Sequence, residues 1–126
     1  MAKFAFYFII VFSIVFPQQM KSQNTADSLH TLIKKADGLK KGELNLELAR
    51  HFLPSNQDSC LYYSQTAQKI GQNIKDHSVV IRSYPLIGEA YQKQNKMKEA
   101  ISSYQEGLKL AEKHNEKSLA GTIYNG

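Results

Sequence analysis

One cysteine, three prolines and no tryptophan occur in these 126 residues. A lone cysteine cannot close an intrachain disulfide, so a disulfide scaffold is excluded. With three prolines and seven glycines, the chain is neither collagen-like nor of low complexity. An excess of one charge is also lacking: 16 Lys and Arg stand against 11 Asp and Glu, a formal +5. Setting aside Lys3 and Lys21, which lie in an amino-terminal apolar segment and its flank, leaves 14 against 11, or +3. That is too mild to point to nucleic acid. The length allows one domain and argues against a large enzyme.

Long hydrophobic runs are scarce as well. The run FAFYFIIVFSIVF, residues 4–16, follows Lys3 and precedes Pro17 and the polar stretch KSQNTAD. A bilayer-spanning helix takes about 20 residues, so this shorter run suits the apolar region of a secretory signal peptide. The expectation is a signal over 1–22 and an exported product, periplasmic or attached to the extracytoplasmic side of the membrane. Ser22 is small enough for a cleavage position and Met20 is not, which keeps a retained anchor as the alternative. Cys60 lies far from the run, where a lipid-attachment cysteine would not be, and in DSCLYYSQTA a small buried side chain between helices is its expected role.

Past residue 22 the apolar residues recur with the helical period, and no stretch alternates with a period of two. The reading is all-α. Leu29, Leu32, Ile33 and Ala36 mark a first helix within an amino-terminal segment, 23–41, that the Gly38 region closes. Leu44, Leu48, Ala49 and Phe52 mark a second, stopped by Pro54-Ser55-Asn56. Asp58 or Ser59 is placed to cap a third, with Leu61, Ala67, Ile70 and Ile74 on its apolar face. Val80, Tyr84, Ile87 and Tyr91 form the stripe of a fourth helix that runs through Pro85. Ala100, Ile101, Tyr104, Leu108 and Ala111 form that of a fifth. A sixth begins near Ser118 with Leu119, Ile123 and Tyr124.

These helices repeat. Cys60 and Ala100, Ala67 and Gly107, Ile70 and Leu110, and Tyr84 and Tyr124 are each 40 residues apart. At an offset of 39, Leu48-Ala49 falls on Ile87-Gly88 and Phe52 on Tyr91. The unit is a helix-turn-helix pair with a period near 40, dividing the chain at about 42–75, 76–115 and a partial third from 116.

The segment SYPLIGEAYQKQNKMKEAISSYQEGLKLAEK resembles a tetratricopeptide repeat. Tyr84, Ile87, Gly88 and Tyr91, then Ala100, Tyr104 and Gly107, stand at the spacing of that family's A and B helices, while Glu112 replaces its closing proline. The stretch from Leu44 to Asn73 matches more loosely, with Ala49 for the glycine and Ser64 for an aromatic. The resemblance implies an α-solenoid of antiparallel helix pairs, with Gly88 and Ala100 allowing close approach and Tyr91 and Tyr104 filling the space beside them. Long repeats behind an apolar leader also resemble the exported amino-terminal regions of Bacteroidetes-type signalling proteins. There the array commonly precedes a transmembrane helix and an output domain. The chain stops inside a third A helix, as a fragment would.

For function, the resemblance implies a concave face lined by A helices that binds protein or peptide. Carried over onto this chain, that face includes Arg82, Pro85, Glu89, Gln92 and Lys93, with Glu47 and Arg50 from the preceding unit. Arg82, Glu89 and Lys93 would project away from the packed stripe and meet charges on the partner. A carboxylate clamp would need Lys and Asn where Pro85 and Glu89 stand, which rules against that subtype. No catalytic constellation, phosphate loop or nucleophile elbow occurs, and His30, His51, His77 and His114 include no i, i+4 pair for a metal. The expectation is a non-enzymatic interaction scaffold without cofactor, metal or nucleic acid, reaching a membrane only through its leader or a helix further downstream. A self-associating structural array is the alternative, and an exported enzyme fragment is the third reading.

Overall fold

The computed structural model describes residues 23–125. The expected signal segment, 1–22, lies outside them. Among the described residues there are six α-helices and no strand. They are α1 (23–35), α2 (Gly38–Phe52), α3 (Gln57–Asn73), α4 (His77–Lys93), α5 (Met97–Lys113) and α6 (Lys117–Tyr124). From α3 onward the helices begin at Gln57, His77, Met97 and Lys117, twenty residues apart.

The turns that set this spacing share one construction. Lys75, Asn95 and Asn115 each follow a helix with φ near +58 to +59, the left-handed conformation that closes a Schellman motif. In each, the next amide reaches back five residues. Asp76 N donates to the Gly71 carbonyl at 2.8 Å, Lys96 N to Tyr91 at 2.9 Å and Glu116 N to Ala111 at 2.8 Å. Helix starts are less uniform. Asp76 caps α4 by accepting from Val79 N at 2.9 Å, whereas Lys96 and Glu116 give no side-chain cap to α5 and α6.

The cap of α3 is Asn56, whose Oδ1 accepts from Ser59 N at 3.0 Å. Asp58 and Ser59, the expected caps, lie inside the first turn. Asn56 wins because the Pro54 turn leaves it in extended backbone, φ −148, one residue before the helix. Its neighbour Asp58 accepts instead from Gln94 Nε2 at 2.7 Å, tying the start of α3 to the end of α4.

From α2 to α6 each helix packs on the next, and α2 with α4 and α4 with α6 also approach. The even helices therefore form the close side of the molecule, and α3 and α5 stand apart on the other. Leu46, Leu48, Val79 and Ile81 are fully buried, each worth about 1.5–3 kcal/mol relative to exposure. One core gathers Leu46, Ala49, Cys60, Ala67, Val79, Leu86 and Ala90, and a second gathers Ile81, Ala111 and Ile123. Tyr63 joins the first, stacked on Phe52 at 5.6 Å, with its hydroxyl 3.3 Å from His30 Nε2 of α1.

Glycine governs the seam between α4 and α5. A Cβ on Gly88 would lie 2.7 Å from the Tyr104 ring, and one on Gly107 would lie 2.7 Å from Tyr84 Cβ. Each helix thus offers a glycine to the other's tyrosine, and the tyrosines stay only partly buried because they lie across the seam. Gly71 serves the α3–α4 contact in the same way, with Val80 Cγ2 2.9 Å from the missing methyl, a role that spacing did not single out. Pro85 sits within α4, where it has no N–H for the Ile81 carbonyl. Ile74 and Ile101, expected in the apolar faces, are 39% and 52% exposed. Ile74 is the C-cap of α3, already turning away, and Ile101 lies toward the start of α5, away from the helix end that leads into α6.

Candidate partner-binding face

On the close side, α2, α4 and α6 enclose a cleft of about 250 Å³. Arg50 comes from α2, Ile81, Arg82, Pro85, Leu86 and Glu89 from α4, and Leu119 and Thr122 from α6. Helical spacing explains the α4 set: Ile81, Pro85 and Glu89 recur at steps of four, Arg82 and Leu86 form a parallel row at the same step, and both rows lie along one side of that helix. The floor is apolar and the rim charged. A second hollow, about 470 Å³, continues past Glu89 along Gln92 and Lys93 to Asn125.

The structure brings Arg50, Arg82, Pro85 and Glu89 to one cleft and places Gln92 and Lys93 beside them. Glu47 stands outside it, holding Arg50 through an ion pair of 2.7 Å one turn along α2. Both partners are well exposed, so this pair contributes about 0.3–0.5 kcal/mol. Arg82 is less exposed. Its Nη1 lies 2.5 Å from Glu43 Oε1, with both side chains about two-thirds or more covered. Sequence reasoning treated Arg82 as an uncommitted cation and missed Glu43, although the two lie 39 residues apart, the offset that matches α2 to α4. Opposite charges one offset apart were the available signal.

Glu89 and Lys93 form no ion pair among the described residues. The charge of Glu89 is felt nearby: it adds to burial in raising the pKa of the Tyr104 phenol, which stays protonated at neutral pH. Gln92 Oε1 accepts from the Tyr104 hydroxyl at 3.3 Å. The rim therefore carries the Glu89 carboxylate, unpaired among the described residues, and the Arg50 guanidinium around an apolar floor, with the Lys93 ammonium in the adjoining hollow. Such a set can hold a peptide by hydrophobic contact and orient it by charge.

Bond-making chemistry finds little support in the remaining groups. Cys60 is fully buried, its Sγ 3.7 Å from the Leu86 carbonyl and 3.8 Å from Ser64 Oγ. Burial, with a smaller push from Glu89, raises its thiol pKa, which suppresses the thiolate a nucleophile requires. Among the described residues no three His, Cys, Asp or Glu side chains gather as metal ligands would. No described helix is long and apolar enough to cross a membrane. Lys96, at the α4–α5 turn, lies over the Tyr91 ring at 5.9 Å. Compared with protein families, curated proteins and solved structures, the chain matches none of them.

Proposed function

We propose that this chain is a non-enzymatic protein-protein interaction scaffold, a tetratricopeptide-like α-solenoid with a period near 40 residues, that receives a peptide segment of a partner on its close side. The observation that carries the reading is the shared cleft: three alternate helices, α2, α4 and α6, contribute side chains to one apolar-floored, charge-rimmed hollow. The equal helix spacing and the reciprocal glycine-tyrosine seam support the repeat reading. Export behind the apolar leader, and service as the extracytoplasmic sensory part of a longer signalling protein, belong to the same proposal and rest on the sequence of residues 4–22.

A random peptide library displayed against the chain tests the binding reading. Selected peptides should share apolar residues flanked by charge. Their capture should fail with Thr122→Trp, which fills the cleft from α6, and weaken with Glu89→Lys; Thr122 is exposed, so the first variant should melt within about 0.5 kcal/mol of the parent, and the helical circular dichroism of the second, at a half-buried position, should stay native. Retained capture by both variants refutes the cleft as the site. The self-associating alternative draws on one observation, the exposure of Met97, Ile101 and Tyr124. Sedimentation across concentration tests it, with a single monomeric species ruling it out.

A further inference from the structure

His77 and His114 stack face to face, ring centroids 3.6 Å apart and planes 18° from parallel. His77 opens α4 and His114 is the C-cap of α5. The two helices are joined through residues 94–96, so the rings meet at the end of the hairpin opposite its turn. His77 also borders a cleft of about 370 Å³ with Gln72 of α3, Tyr84 of α4 and Leu110 of α5. This cleft lies where α3 and α5 stand apart, and it shares no residue with the hollow between α2, α4 and α6.

We propose that the His77–His114 stack is a proton-operated clasp: the rings stay in contact while at least one is neutral and part when both are protonated, opening the cleft between α3 and α5. Two neutral imidazoles, or one neutral and one cationic, stack at van der Waals distance. Two imidazolium ions at 3.6 Å repel one another. Neither ring forms an ion pair among the described residues, and the charges flanking them balance in number. Lys75 and Asp76 precede His77, Lys113 and Glu112 precede His114, Glu116 and Lys117 follow it, and Tyr84 faces the cleft as a neutral phenol. Asp76 is already committed to the Val79 amide. In keeping with this, the His114 pKa lies below its ordinary value, through burial first, then the charges of His77 and Lys113, with Glu116 opposing.

The sign of the pH effect follows. The folded chain holds the His114 proton less readily than the unfolded chain does. Stability therefore falls as pH drops through the ordinary histidine value of 6.5, and the loss levels off once His114 is itself protonated.

Proton NMR of the histidine rings on the full chain tests the clasp. At neutral pH the His114 ring-proton resonances should lie upfield of their ordinary positions, because the two rings stack face to face, and that displacement should vanish on acidification. His77→Gln should raise the His114 midpoint by about half a pH unit. An upfield displacement that persists in acid overturns the proposal, as does an unchanged midpoint in a variant whose amide spectrum stays native. If His77→Gln fails to fold, the ring-current measurement on the parent chain still decides.

Discussion

Helices α3 and α5 have the same length, begin 40 residues apart, and bury small residues at matching places: Cys60 with Ala100, Ala67 with Gly107, Gly71 with Ala111. Their larger apolar side chains fare differently. Leu61 is half-buried and packs on the first core, whereas Ile101, at the equivalent position, is 52% exposed. Helix α3 is followed by the 17 residues of α4, and α5 by the eight of α6. A periodic stripe specifies which side chains can enter a core, and the cover that neighbouring helices supply decides whether they do.

The most severe way to break the comparison is to overfill the seam that α5 does complete. Gly88→Leu would drive a side chain into the Tyr104 ring and should cost about 3 kcal/mol, seen as loss of the cooperative melting transition. A smaller contrast comes from the equivalent pair themselves. Leu61→Ala should cost about 1–2 kcal/mol by thermal unfolding and Ile101→Ala less than about 0.5. Equal losses would mean that α5 is covered in solution. Cap chemistry sharpens the difference further: Asn56→Ala should cost about 1 kcal/mol at the start of α3, while Lys96→Asp should bring a gain of similar size to α5, which has no side-chain cap. The mildest effect is at the left-handed turn residues. Lys75→Asn should stabilise by about 0.5 kcal/mol, because asparagine tolerates positive φ as Asn95 and Asn115 already do, and denaturant melts would register it.

Period and spacing made the helices legible: every expected helix is present, the second stops at the Pro54 turn, and Pro85 lies within α4. Individual partners were harder to read. Ser55, Asn56, Asp58 and Ser59 can all cap a helix, and only the backbone conformation after Pro54 selects Asn56. Ile101 satisfies the helical stripe yet is exposed, because a stripe carries no information about which neighbours cover it. Gly71 escaped notice since its partner, Val80, lies across a turn and does not recur as the tyrosines do. Most of the candidate face was named in advance through Arg50, Arg82, Glu89, Gln92 and Lys93. Leu119, Thr122 and Glu43 were not, since the first two join it from a neighbouring helix and the third acts only through Arg82.

From α2 to α6, no helix approaches another more than two places along the chain. Contacts of such short sequence separation close small loops, so folding should be fast, with no distant segments to be brought together first. The same locality bears on mechanics. Among the described residues, a force applied across α2 to α6 meets no contact that joins the first helix to the last, only a series of short-range seams loaded one after another. The chain should lengthen in steps of about one or two helices, beginning at α6, and regain its shape from whichever seam closes first.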